Sequence, residues 1–79
     1  MITFRKSTKK FKKYDAIMSN GSIVSFGDKR YFQYHDNALG LYKDLDNNDK
    51  ERRRLYKLRH EKDRHIKYSP GWFSDQYLW

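Results

Sequence analysis

Apolar and polar positions alternate along YDAIMS at residues 14–19, and a second apolar segment, SIVSF, follows at residues 22–26. A period of two is typical of strands that bury one face. Asn20-Gly21 lies between the two segments, and this pair favours a type I′ hairpin turn because both residues accept a positive φ. The pattern predicts an antiparallel hairpin over about residues 14–26. Since a two-stranded ribbon is marginally stable alone, one of its faces must pack on the helices that follow.

The clearest helical pattern covers residues 48–64. Asn48 is a suitable N-cap, and Glu51 stands three residues later, in the spacing of a capping box. Leu55 and Leu58 form a narrow apolar stripe, whereas the other faces are mostly charged. We therefore expect a longer basic helix that packs through this stripe and leaves most of its surface to solvent or to anions.

A shorter helix is predicted over residues 28–36, with Asp28 as its N-cap. Its partly buried side chains would be those of Tyr31, Phe32 and Tyr34. Residues 37–46 mix leucines with Gly40 and predict a loop or a further short helix.

The segment SPGWFSDQYLW, residues 69–79, is unusually rich in large apolar side chains. We expect Pro70-Gly71 to stop the long helix and turn the chain back. The large side chains would then close the core against the hairpin and the Leu55/Leu58 stripe. The alternative is an exposed aromatic docking peptide or a base-stacking platform. The side chains concerned are Trp72, Phe73, Tyr77, Leu78 and Trp79.

Composition limits the size and the kind of core. Seventy-nine residues allow one small domain, and only 37% of them are hydrophobic, while 18% are aromatic. A few aromatic side chains can bury as much area as many aliphatic ones. The sequence therefore predicts a small single α+β domain over residues 14–79: a hairpin, a short helix, a longer basic helix and an aromatic closing segment. It leaves the oligomeric state open.

The chain is strongly basic, with a formal net charge of +8. Six basic residues fall within residues 1–13 and no acidic residue precedes Asp15, which predicts a flexible basic arm. A charge of this sign favours polyanionic partners, nucleic acid first. The candidate phosphate contacts are Lys9, Lys10, Lys12 and Lys13 in the arm, and Arg52, Arg53, Lys57, Arg59 and Arg64 in the long helix.

Several classes of protein are disfavoured. The sequence contains no cysteine, which excludes disulfides and thiolate metal sites. No apolar run approaches the roughly 20 residues that span a bilayer, and the N-terminus lacks the apolar core of a secretory signal. We therefore expect no membrane association, no secretion, and a location in the cell interior or inside a particle.

The titratable residues carry no diagnostic catalytic or metal-binding motif. His60 and His65 would point about 140° apart around a helix, so they make a poor zinc pair. Residues 59–61, Arg-His-Glu, together with Asp46 and Asp49, contain the residue types of a metal-dependent nuclease in no characteristic spacing. Walker, GxGxxG, HExxH and GxSxG motifs are absent. We expect a non-enzymatic protein without cofactor or metal, and keep a small nuclease or accessory factor as an alternative.

Residues 13–79 resemble a family of small, basic, uncharacterised proteins encoded by nucleocytoplasmic large DNA viruses and some bacteriophages. The shared order is a hairpin that ends in Phe-Gly, a Tyr soon after it, an Asp-Lys-x-Arg-Arg-x-x-Tyr-x-x-Arg-His helix, and a Phe-Ser-x-x-Tyr-Leu-Trp end. In this chain those positions are Phe26, Gly27, Tyr31, Asp49, Lys50, Arg52, Arg53, Tyr56, Arg59, His60, Phe73, Ser74, Tyr77, Leu78 and Trp79. One departure is Asn47, where relatives often have a His before Asn-Asp-Lys.

The resemblance implies a viral source and two roles that such a source makes reasonable. One is compaction or handling of a viral genome, in the virion or in the host cytoplasm, nucleus or viral factory. Our leading hypothesis is accordingly a viral protein that binds nucleic acid through its phosphates, largely independently of sequence, with DNA favoured over RNA. The other is a minor structural component of the capsid or core, whose basic surface meets acidic virion proteins.

Overall fold

The computed structural model describes residues 2–79. They form a three-stranded antiparallel sheet and two α-helices, which confirms the predicted α+β class. The strands are β1 (Thr3–Lys6), β2 (Tyr14–Ile17) and β3 (Ile23–Phe26), and the helices are α1 (Lys50–Arg59) and α2 (Pro70–Tyr77). Single turns of 3₁₀ helix cover Lys43–Leu45 and Asp63–His65.

The hairpin forms where the alternating pattern predicts it, but its turn is of another type. Met18 N–H donates to the carbonyl of Ser22 at 2.8 Å, and Gly21 N–H donates to the carbonyl of Met18 at 2.9 Å. The loop therefore has three residues, 19–21, of which only Gly21 has a positive φ, +89°. A three-residue loop that ends in a left-handed glycine is the usual alternative to a type I′ turn. On either side of the turn, β2 ends at Ile17 and β3 begins at Ile23.

The segment predicted as a flexible arm over residues 1–13 contains the first strand of the sheet, and this corrects its placement outside the domain. β1 pairs with β2 along its whole length, so that Phe4 stands opposite Ala16. The Phe4 ring contacts those of Phe26 and Tyr77, with centroids 5.9 and 4.6 Å apart. Charge density alone predicted the arm, whereas the apolar contacts of Phe4 bring the strand onto the core. Met1 lies outside the described residues.

The core lies between one face of the sheet and α2. Its fully buried side chains include Tyr14 and Phe26 from the strands, and Phe73 and Leu78 from the C-terminal segment. The rings of Phe26 and Phe73 stack with centroids 5.4 Å apart. The C-terminal segment thus closes the core against the hairpin. The C-terminal segment is helical. Pro70 occupies the first turn of the helix, where its missing N–H costs nothing, and Ser69 Oγ accepts the N–H of Trp72 at 3.1 Å.

Helix α1 is shorter than the predicted helix over 48–64 and begins two residues later, with its N-cap one residue later than predicted. Asp49 is its N-cap and accepts the N–H groups of Glu51 and Arg52 at 3.0 and 3.2 Å, whereas Asn48 has a left-handed φ of +48°. The expected packing through the Leu55/Leu58 stripe is wrong, since these side chains are 43% and 60% exposed. The helix packs instead through Tyr56, its only buried residue.

The helix predicted over 28–36 does not form. Asp28 caps only a turn, and Gln33 then pairs with Asp46 in an isolated bridge. The N–H groups of Tyr34 and His35 both donate to the carbonyl of Leu78, at 3.0 and 3.1 Å. These long-range backbone partners replace helical bonds and hold the segment extended. As a result Tyr31 and Phe32, expected to be partly buried, are 63% and 55% exposed.

Candidate functional site

Lys13, a predicted phosphate contact, is an internal anchor of the fold. Its side chain is 2% exposed, and its ammonium donates to the carbonyl of Tyr31 at 3.0 Å and to Oε1 of Gln33. Burial lowers the pKa of Lys13 to about 8, against an opposing effect of Asp36. An ammonium enclosed in this way cannot reach a phosphate, so Lys13 is removed from the candidate contacts. Its role is to hold the backbone of residues 31–33.

Three predicted contacts in the helical region are engaged within the protein. Lys57 Nζ lies 2.7 Å from Oδ1 of the buried Asp75, and Arg64 Nη1 lies 3.9 Å from the same atom. Both cations compensate a carboxylate that would be costly to bury alone. Arg53 Nε donates to the main-chain oxygen of Trp79 at 2.7 Å. These side chains fasten α1 and the following turn to α2.

The other five predicted cations are not buried, and three of them line the same cavity. Arg52 is 60% exposed and lies 3.8 Å from its nearest carboxylate, on Asp49. Arg59 has no ion pair among residues 2–79. Together with Lys12 they line one open cavity of about 1180 Å³ between α1 and the loop of residues 27–32. Lys9 and Lys10 lie outside it, in the exposed turn before β2.

We call this cavity the basic groove. Five basic and two acidic residues line it: Lys12, Lys13, Arg30, Arg52 and Arg59, and Asp28 and Asp63. Arg30 binds Asp28 through two contacts of 3.0 and 2.8 Å, so this pair is internally neutralised. The hydrogen bond from Arg30 is the main cause that lowers the pKa of Asp28 to about 2, which keeps the pair ionised at any ordinary pH. The excess positive charge of the groove therefore comes from Lys12, Arg52 and Arg59, of which Arg52 has one exposed ion pair of 3.8 Å with Asp49.

Aromatic rings form the wall on the α1 side of the groove. Tyr56 stacks on Trp79 with centroids 4.3 Å apart and planes 5° apart, and it also stacks on His60 at 4.3 Å. Burial raises the pKa of Tyr56, so its hydroxyl stays neutral. The Tyr56–Trp79 contact joins α1 to the residues that follow α2, and this contact positions Arg52 and Arg59.

The edge of the groove opposite α1 is formed by residues that the sequence analysis did not select as contacts. We call this edge the lip, and it consists of Arg30, Tyr31 and Phe32. The Arg30 guanidinium also lies 4.2 Å from the ring centroid of Phe11. The signal that could have found this lip is the mixture of basic and aromatic residues in KKFKKY and KRYF, which the expectation of a buried helix masked.

Asn47, the position of the family departure, also lies in the groove. Its Oδ1 accepts the N–H of Asp49 at 2.9 Å, which fixes the orientation of the amide. The buried Nδ2 has no hydrogen-bond partner within the described residues. A donor at the wall of the groove is therefore unused.

The histidines and carboxylates do not assemble into one centre. His35 lies 3.3 Å from Asp46, His60 lies 3.7 Å from Asp63, and His65 lies 3.0 Å from Glu61. Among residues 2–79, no three His, Asp or Glu side chains are grouped so that they could hold a metal ion. Neither helix in the described part of the chain has the length and apolarity to cross a membrane.

Comparison with known protein families gives a match in the N-terminal part of the chain. Residues 2–38 match the model of a family of unknown function, DUF5754. The match covers the whole sheet and the lip that carries Arg30 and Tyr31, and it leaves out α1 and α2. No curated protein and no solved structure matches the chain. The N-terminal part of the chain is thus similar to an uncharacterised domain family.

Proposed function

We propose that this protein binds nucleic acid through its phosphates, largely independently of sequence, with the basic groove as the main contact surface. The observation that carries the proposal is that Lys12, from the turn before β2, lines the same cavity as Arg52 and Arg59 of α1. Lys12 and Arg59 have no ion pair within residues 2–79, and Arg52 has one exposed pair, 3.8 Å from Asp49, whereas Lys57 and Arg64 have ion pairs of 2.7 and 3.0 Å. A surface on which cations are in excess favours a polyanionic ligand. The exposed Lys9 and Lys10 would extend the contact.

A source among large DNA viruses or bacteriophages is part of the proposal. It rests on the resemblance of α1 and of the Tyr77-Leu78-Trp79 end. For such a source DNA is the first ligand to consider, RNA the second, and genome packaging or handling the role. The site of action would be the virion or the interior of the host cell.

The proposal is tested by the salt dependence of binding. The logarithm of affinity for duplex DNA should fall with the logarithm of salt concentration by about 0.9 for each phosphate neutralised. The double variant Arg52→Ala/Arg59→Ala should reduce this slope by about 2. The matched control is Lys50→Ala/Arg54→Ala, which removes two charges from the same helix outside the groove. An equal loss in both variants would show that binding follows net charge and not the groove.

A structural virion protein is the second candidate, favoured by a separate observation. Leu58 and Ile66 are each 60% exposed on the helical side of the molecule, and Leu55 is 43% exposed. An exposed apolar surface of this kind marks a protein-binding site where the side chains form one contiguous patch. This role predicts stoichiometric amounts in purified particles and no retention on DNA once the protein partner is removed.

A further inference from the structure

The exposed aromatic lip of the basic groove is the feature that phosphate binding leaves unexplained. Tyr31 and Phe32 are 63% and 55% exposed, in a protein whose core consists mainly of aromatic side chains. Phosphates are bound by cations and N–H groups and do not need exposed rings. Displayed rings beside cations are the arrangement that holds the faces of nucleobases.

Backbone contacts on both sides of Tyr31 and Phe32 hold this segment at the surface. Lys13 Nζ binds the carbonyl of Tyr31 at 3.0 Å, and the next residue but one, Gln33, is fully buried. On the other side, Lys29 N–H donates to the carbonyl of Phe11 at 2.8 Å. The rings of residues 31 and 32 therefore stand on a segment anchored at each end. An anchored ring loses little entropy when it binds.

A flat cationic surface continues the lip. The Arg30 guanidinium lies 4.2 Å from the ring centroid of Phe11 and 5.6 Å from that of Tyr31. Because its charge is already compensated by Asp28, Arg30 contributes mainly its planar face. Lys12, Arg52 and Arg59 line the same groove and supply its excess positive charge.

These features select between single-stranded and duplex nucleic acid. A duplex covers the faces of its bases by stacking and exposes only their edges, so rings at the lip have nothing to stack on. An unpaired strand presents base faces and phosphates together.

We infer that the basic groove binds single-stranded nucleic acid, with an unpaired base stacked on Tyr31 or Phe32 and with neighbouring phosphates on Lys12, Arg52 and Arg59. The inference rests on the proposed nucleic-acid function and specifies its ligand. Its distinguishing requirement is the base itself, since a strand without bases would offer the same phosphates.

The test compares three ligands of equal length by fluorescence anisotropy at low salt: an oligothymidylate of about 20 nucleotides, an abasic strand and a duplex. The variant Tyr31→Ala/Phe32→Ala should weaken oligothymidylate binding about five-fold or more and leave the other two ligands unchanged. The matched control is Leu39→Ala/Leu41→Ala, which removes two side chains of similar exposure, 48% and 54%, outside the groove. The conservative variant Tyr31→Phe should keep full affinity, because it keeps the ring.

The outcomes separate the inference from the function on which it rests. Equal affinity for oligothymidylate and duplex, with no effect of the aromatic variant, overturns single-strand binding and leaves phosphate binding intact. Equal binding of oligothymidylate and the abasic strand has the same meaning, since bases would then contribute nothing. Absence of binding to all three ligands overturns both proposals.

Discussion

Lys12 and Lys13 are adjacent in sequence, yet the structure predicts opposite consequences when each is replaced by Met. Lys13 is 2% exposed, and burial lowers its pKa from 10.5 to about 8. Between these two values the unfolded chain binds more protons than the folded chain. The free energy of unfolding should therefore rise as the pH increases through this window.

The size of the rise follows from the two pKa values. Raising the pH from about 7 to about 9.5 should increase the free energy of unfolding by about 1–2 kcal/mol. The raised pKa values of Tyr14, Tyr42 and Tyr56, caused first by burial, have their main effect above about pH 10 and in the opposite direction. Urea titrations at the two pH values measure the difference.

The rise should disappear in Lys13→Met and persist in Lys12→Met. In nucleic-acid binding the two variants should behave in the opposite way. Lys12→Met should reduce the slope of log affinity against log salt concentration by about 0.9, and Lys13→Met should leave this slope unchanged. Parallel stability profiles of the wild type and Lys13→Met, or a salt slope that Lys13→Met reduces, would refute the assignment of Lys13 as an internal anchor.

Two further predictions concern packing and use the same urea titrations. Phe4→Ala should lower the free energy of unfolding by about 2 kcal/mol and the melting temperature by about 10 °C. The reason is that the half-buried Phe4 ring contacts three core rings, and these contacts are lost. Phe11→Ala removes an exposed ring and should lower the free energy of unfolding by less than about 0.5 kcal/mol. If Phe4→Ala and Phe11→Ala lowered it equally, the placement of β1 against the core would be contradicted. Trp79→Ala should cost about 2 kcal/mol by removing the ring stacked on Tyr56, whereas Leu58→Ala should change stability little. A larger effect of Leu58→Ala would restore the leucine stripe as the packing surface of α1.

Local patterns predicted the elements whose partners are close in sequence. The hairpin follows from alternation around Asn20-Gly21, and its strands pair as expected over Tyr14–Ile17 and Ile23–Phe26. The start of α1 was predicted within one or two residues, because capping depends on neighbouring N–H groups. The helix expected over 28–36 failed for the converse reason. Its backbone groups bind Leu78 and Asp46, which no local pattern reveals.

The candidate site shows the same division. Residue type and charge identified Lys12, Arg52 and Arg59 in the groove but missed Arg30, which also lines it. The same criteria also selected Lys57 and Arg64, which the structure places against Asp75. Charge density could not distinguish a free cation from a paired one, since the pairing carboxylate comes from another helix.

The hairpin, the α+β class, the basic character and the aromatic closure of the core can all be read from the amino-acid sequence. These depend on composition and on spacings of a few residues. Which side chains face solvent depends on the folded chain. It buried Lys13 and left Lys12 in the groove, and it exposed Tyr31 and Phe32 by holding their backbone to distant partners. The physical reason is that burial and ion pairing are set by neighbours in space, many of which lie tens of residues away along the chain.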